Sequence, residues 1–421
     1  MKFKELLSRH TILKCAMILA SMFSLIGYGH ELLGPYMKVL LIWAALEVLA
    51  GFIIDRKLLK DIPTWLLMGF LALYAVSALR AGADTRMDTL KSIAYMGAMF
   101  LICYQGGIAG SPAMRRTESQ LIARFAVICI TVMEIACFAV YEFADAATYV
   151  CSDGVIGYIG SMDGRLCGLV HMNVIGAVSA LGIILGAGMT VAGERGIFRI
   201  ICIVCIIFGT VCLVLSYSRT AIIGLAVAGL YSLYAGLIRP GFQPEGRGTR
   251  RICAIAVTCL AAGVLAGVIT YYSSRGLLIT KLDEVLSWAN GTLSGRIEIW
   301  TQAIDSFKDS LIFGSTYEGF MAGVHEISVS GWEGGGVHSI YLGVLTFSGI
   351  AGCAALAAFT VVNRRKLRRS GLRRNPEYII ATMAVIFLLI QGATECYLLF
   401  GFSFFAVIYW TCMGIRRERA L

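Results

Sequence analysis

Residues 172–192 read MNVIGAVSALGIILGAGMTVA. After four intervening residues, Gly193-Glu194-Arg195-Gly196, residues 197–215 read IFRIICIVCIIFGTVCLVL. Each run is about 20 residues long and almost free of charge, which is what an α-helix needs to cross the hydrocarbon core of a bilayer. The same rule, applied outward in both directions, yields twelve candidate spans. They are roughly 11–29, 35–54, 64–79, 88–105, 121–143, 172–192, 197–215, 219–238, 251–272, 338–362, 377–394 and 397–414.

Composition agrees. Of 421 residues, 58% are apolar and 15% charged, with a mean hydropathy of +0.78. Soluble domains run near 45–50% and about 25%. A disordered chain, a fibrous chain and an ordinary soluble enzyme are thereby excluded. The expected fold class is all-α: one integral membrane domain over residues 1–421, with about 12 transmembrane helices. Most of the fourteen cysteines, Cys202 and Cys205 among them, lie inside apolar runs, where they act as small hydrophobes.

Charge placement gives the orientation. Most of the 36 Lys and Arg residues fall on one side: Lys2, Lys4, Arg9 and Lys14; Arg56, Lys57 and Lys60; Arg115 and Arg116; Arg195 and Arg199; Arg239, Arg247, Arg250 and Arg251; the 364–374 loop; and Arg416, Arg417 and Arg419. With twelve spans and both termini cytoplasmic, every short inner loop is basic, as the positive-inside rule requires. The first apolar run lacks a small-residue cleavage site and reads as an uncleaved helix. Two external segments are too long to be simple turns. One covers 144–171. The other, 273–337, lies between the ninth and tenth spans and carries short amphipathic helices. Chemistry is therefore expected on the outer face. The inner loops hold no nucleotide-binding glycine motif, and no nucleic-acid partner is implied.

Four stretches on that face hold candidate residues. Ser216-Tyr217-Ser218-Arg219-Thr220 sets Arg219 beside hydroxyl donors; it is either an interfacial, snorkelling Arg or one that grips phosphate with its forked guanidinium. Arg296 opens an amphipathic helix whose apolar stripe is Ile297, Trp300, Ile304, Phe307 and Leu311. A cation is disfavoured at a helix start unless an anion bridges the two. Gly334-Gly335-Gly336-Val337-His338 leads into the tenth span. His338, with Tyr341 beyond it, is either structural or a proton acceptor near neutral pH. Arg165-Leu166-Cys167-Gly168 leads to Asn173, which either caps the sixth span or binds a sugar hydroxyl. Cys167 and Cys151 share this segment, as a disulfide or as two thiols.

Taken together these stretches resemble the O-antigen ligase and polymerase superfamily of bacterial membrane glycosyltransferases. Ser218-Arg219 is similar to its SR signature. Gly295-Arg296 with Trp300 and Ser310-Leu311-Ile312-Phe313-Gly314 resembles its GR…W…hPlfG stretch. His338-Ser339-Ile340-Tyr341-Leu342 with Gly349-Ile350-Ala351-Gly352 resembles HNxYL…GixG, and Arg165 through Asn173 resembles RxxGxxxxPN. Ser339 stands where Asn is usual, and Met172 where Pro is usual. The resemblance covers about 165–352.

It implies a lipid-linked glycan transferase without metal or other cofactor, in the bacterial cytoplasmic membrane with an extracytoplasmic active site. The donor would be a glycan on undecaprenyl pyrophosphate, and the acceptor lipid A-core, another glycan or a protein. The catalytic set would be His338, Arg219 and Arg296. The substrate-binding set would be Ser218, Arg165, Asn173, Tyr341 and Trp300. The alternative is a twelve-span secondary transporter, for which the mid-membrane ionisable residues would be Glu47 and Glu134. A glycosyltransferase using an early external acid would rely on Glu31 beside His30.

Overall fold

The computed structural model describes residues 9–54, 61–80, 82–104, 112–150, 156–162, 164–235, 255, 257–267, 299–326, 337–369, 376–395 and 398–418. The chain is mostly helical. The helices are α1 (Arg9–Phe23), α2 (Gly27–Ile54), α3 (Ile62–Arg80), α4 (Ala83–Ala98, continued by a π-helical turn at Met99–Tyr104) and α5 (Pro112–Phe143). A small sheet follows, β1 (Ala147–Val150), β2 (Ile156–Met162) and β3 (Arg165–Gly168). Next come α6 (Met172–Ala192), α7 (Ile197–Ser216) and α8 (Arg219–Leu233), then α9 (Val257–Gly267) and α10 (299–309). The last are α11 (Tyr317–Glu326), α12 (Ile340–Arg369), α13 (Pro376–Gln391) and α14 (Phe404–Glu418).

Among the described residues, five helices are long and apolar enough to cross a membrane: α3, residues Thr117–Phe143 of α5, α6, α7 and residues Ile340–Arg365 of α12. Shorter apolar helices occupy His10–Phe23, Arg219–Leu233, Val257–Gly267, Glu377–Gln391 and Phe404–Ile415. Large apolar side chains stay exposed in rows, such as Ile42, Leu46, Leu49 and Ile53 on α2 and Ile200, Ile203 and Ile207 on α7. Water would not tolerate patches of that extent, whereas lipid chains cover them. The chain is a multi-pass membrane protein.

Helix α6 is the central element. It packs on α5, α7, α8 and α13 and buries nearly its whole length. Its small residues permit this. A Cβ at Gly176 would stand 2.4 Å from Ser218 Cβ and 2.8 Å from Ser216 Oγ. Only glycine lets the α7–α8 turn sit so close. Glu134 of α5 is fully buried, against Gly182 of α6 and Gly209 of α7.

Helix α12 breaks at Gly349, with φ 61° and ψ −167°. The break frees backbone donors that the 310–316 segment satisfies. Ile350 N and Ala351 N donate to Leu311 O (2.9 Å) and Ile312 O (3.0 Å), while Ser315 N and Thr316 N donate to Thr346 O (2.9 Å) and Phe347 O (3.2 Å). Two stretches far apart in sequence thus lock together, completing each other's backbone hydrogen bonds.

Several sequence expectations need correction. Segment 144–171 is no mere loop, so the fold is not purely all-α. β2 pairs antiparallel with β1 (Thr148 opposite Tyr158) and with β3, with an irregularity at Gly160/Ser161. Strands of 4 and 7 residues, built on Thr, Tyr, Val and Ile, have the right propensity but are too brief to stand out beside the spans. Helix α1 stops at Phe23 rather than running to 29, because Leu25 N and Ile26 N close a tight turn onto Met22 O and Phe23 O. Helix α2 therefore starts at Gly27, not near 35. The apolar stripe of α10 stands uncorrected: Ile299 and Ala303 are buried in the protein, while Ile304 and Leu311 are exposed, as residues lying on a membrane would be. Ala303 is small enough for close approach, and Thr346 Oγ1 donates to its carbonyl at 3.2 Å.

Candidate functional site

The α7–α8 turn carries Arg219. Tyr217 ends α7 in the left-handed region (φ 51°), a conformation that a bulky residue holds only where its surroundings impose it. Arg165 supplies part of that constraint. From the start of β3 its Nε and Nη2 donate to Ser216 O at 3.0 and 2.9 Å, and Nη2 also to Tyr217 O at 3.3 Å. A guanidinium suits a helix C-terminus, where unpaired carbonyls gather. Ser218 is buried on the α6 side of the turn, whereas Arg219 is exposed. Arg165 and Arg219 thus border the same turn.

His338 precedes α12 and is also left-handed, with φ 48°. Trp300 Nε1 donates to Val337 O at 2.9 Å, and Ile340 N to Gly392 O at 2.7 Å, so the backbone is held on both sides of His338. Tyr341 OH donates to Leu389 O at 2.8 Å, tying the first turn of α12 to α13. His338 Nδ1 lies 3.2 Å from Glu395 Oε2. Glu395 Oε1 accepts from Asn173 Nδ2 at 3.4 Å. Beside Glu395, Thr394 Oγ1 meets Thr220 Oγ1 at 3.2 Å.

Asn173 does not cap α6. His171 is the N-cap, and its Nδ1 accepts from Asn173 N at 3.2 Å. The ring nitrogen reaches the backbone donor that a shorter side chain would otherwise take. Tyr158 of β2 packs its ring edge-on against His171, centroids 5.3 Å apart. Burial, reinforced by Cys167, pushes the Tyr158 phenol above its ordinary range.

The structure thus brings Arg165, Ser218, Arg219, Asn173, Trp300, Tyr341 and His338 to the region where the start of α6, the α7–α8 turn, the start of α12 and the turn after α13 meet. Arg296 and Cys151 lie outside the described residues, as do the side chains of His30 and Glu31. Glu47 accepts from Trp43 Nε1 at 3.3 Å and approaches His10 Nε2 at 3.7 Å, among α1 and α2 rather than beside His338.

Glu395 escaped the reading of the sequence. Its one signal is isolation, as the sole charged residue between Glu377 and Arg416. Nothing local reveals that the turn holding it folds against residues 57 and 222 positions away. Residues 203–357 match the family model described as O-antigen ligase. The match takes in Arg219, Arg296, Trp300, His338 and Tyr341, and leaves Arg165, Asn173 and Glu395 outside it. No curated protein matches the chain.

Proposed function

We propose, on the premise that residues 203–357 make this chain a member of the O-antigen ligase and polymerase superfamily, that it transfers a glycan from undecaprenyl pyrophosphate to an acceptor hydroxyl. The family carries ligase or polymerase activity on lipid-linked glycans at a membrane. In this reading twelve spans place both termini in the cytoplasm and His338 on the outer face of the bacterial cytoplasmic membrane. The acceptor is lipid A-core for a ligase, or a second lipid-linked glycan for a polymerase.

The acceptor oxygen bonds to the anomeric carbon as the bond from that carbon to the pyrophosphate oxygen breaks. The electron pair leaves with the lipid pyrophosphate, and the hydroxyl proton passes to His338. Charge grows on the departing phosphate, so donors already oriented towards it lower the barrier. Arg219 fills that role, together with Arg296 on the strength of its motif. Arg165 and Arg219 flank one turn, and two positive charges there attract an anion. Arg165 also fixes the turn, and Trp300 and Tyr341 hold the backbone around His338.

The observation that carries the reading is the Thr394-Glu395 dipeptide. Thr394 touches Thr220, next to Arg219, and Glu395 touches His338. The presumed phosphate-binding and proton-accepting groups therefore sit on one connected unit.

The test is transfer in vitro from a defined undecaprenyl-pyrophosphate glycan, with expression matched by blot. Arg219→Ala, Arg296→Ala and His338→Ala each abolish or severely reduce transfer while the protein still inserts. Arg→Lys rescues poorly, because an ammonium cannot make the bidentate contact. Transfer survives EDTA. Near-normal turnover by His338→Ala overturns the role of the histidine, and loss in EDTA overturns the metal-free mechanism.

A further inference from the structure

We infer that Glu395, held by Asn173, is the positioning residue that decides which nitrogen of His338 carries the proton. The inference rests on the function proposed above and deepens it. Glu395 is nearly inaccessible, its side chain 4% exposed against 21% for His338. A carboxylate can only accept hydrogen bonds. Its Oε1 already takes the Asn173 amide N–H, so its Oε2 takes the Nδ1–H of His338. In neutral imidazole the lone pair then resides on Nε2. That is the tautomer a base needs, with the lone pair on Nε2 and Nδ1 turned to Glu395. Once Nε2 is protonated, the new positive charge faces a carboxylate that is already in place.

His171 provides the internal contrast. Its Nδ1 accepts the Asn173 backbone N–H, so its own proton sits on Nε2. Two histidines on either side of Asn173 hold opposite tautomers, and only His338 has Nε2 as an acceptor. The left-handed backbone at His338, pinned through Val337 O and Ile340 N, turns the ring towards Glu395 rather than into the first turn of α12.

The hydrogen-bond polarity dictates the experiment. In Glu395→Gln, the amide carbonyl faces the Asn173 donor and the amide NH2 faces His338. Nδ1 must then accept, and the proton moves to Nε2. We expect kcat to fall by about 10²–10⁴-fold, the span that general acid–base catalysis contributes, with KM little changed. The double variant Asn173→Asp/Glu395→Gln reverses the polarity. The Asp takes the amide NH2, the amide carbonyl takes the Nδ1–H, and the original tautomer returns. We expect kcat at least about tenfold above the single variant.

The second readout needs no substrate. The ¹⁵N spectrum of histidine-labelled protein, with the His338 signals assigned by their loss in His338→Gln, reports the tautomer. Wild type and the double variant show an Nε2 lone pair, and Glu395→Gln shows Nε2–H. An unchanged tautomer in Glu395→Gln, or no recovery of kcat in the double variant, overturns the inference. If Glu395→Gln fails to fold, the double variant decides by itself, and an Nε2–H spectrum there overturns it. A wild type that transfers no glycan refutes the proposed function, while the spectra still decide the role of Glu395.

Discussion

Gly176→Ala is the sharpest perturbation of the α7–α8 turn, because it displaces the turn without replacing any side chain assigned to catalysis or binding. The added methyl would lie 2.4 Å from Ser218 Cβ, 2.8 Å from Ser216 Oγ and 3.0 Å from Ser218 Oγ. Carbon atoms in contact prefer about 3.5–4.0 Å. The turn and α6 must therefore separate by at least about 1 Å. Overpacking of this kind costs about 1–3 kcal/mol. The functional cost is larger, since about 1 Å of misplacement at a reacting centre lowers rates by about 10²-fold, and Arg219 follows Ser218 directly. The assay is steady-state transfer from the lipid-linked donor, with thermal unfolding followed by circular dichroism on the same preparation. Gly188→Ala is the control. Its methyl would meet the side chain of Ile380 at 2.6 Å, at the far end of α6, and should cost similar stability with near-normal turnover. Turnover of Gly176→Ala within about threefold of wild type would refute the claim that the turn geometry matters. Equal loss in both variants would mean that general packing, not placement of Arg219, limits transfer.

Arg165→Ala removes three hydrogen bonds to the Ser216 and Tyr217 carbonyls. Ser216 is fully buried and its carbonyl loses both Arg165 donors, so thermal unfolding should report at least about 1.5–3 kcal/mol, the range for one hydrogen bond to a charged group, alongside a large drop in kcat. Trp300→Phe keeps one aromatic ring, but loses the bond to Val337 O and part of the indole's packing on the core. Chemical denaturation should show a loss of at least about 1 kcal/mol, with kcat reduced severalfold through a looser His338. A cysteine introduced in 331–336 should react with an impermeant thiol reagent from outside intact cells, and one in 364–374 should not. The reverse pattern would invert the topology and remove His338 from the outer face.

The multi-pass membrane class, most of the helical stretches and the likeness to the O-antigen ligase family were legible in the sequence. Each is a local property: a run of apolar residues, the spacing of charges, a short motif. The strands of 147–168 were not legible, because a four-residue strand is defined by its partner rather than by its own pattern. Which side of α10 docks on the protein was not legible either. Periodicity shows that a helix is amphipathic, but the small Ala303 and the Thr346 hydroxyl decide which side docks.

The site divides the same way. By themselves, the amino acids determined a multi-pass chain with an Arg-bearing turn and a histidine at helix mouths. Only the tertiary structure decided that Arg165 and Trp300 hold backbone carbonyls in place, that His171 rather than Asn173 caps α6, and that Glu395 lies against His338. The physical reason is range. Hydropathy and charge act residue by residue along the chain, whereas hydrogen-bond polarity exists only once donor and acceptor meet. Here Asn173, His338 and Glu395 come from three separate parts of the chain, and they meet because α6 packs on α13 and the start of α12 is hydrogen-bonded to the end of α13 and the turn after it.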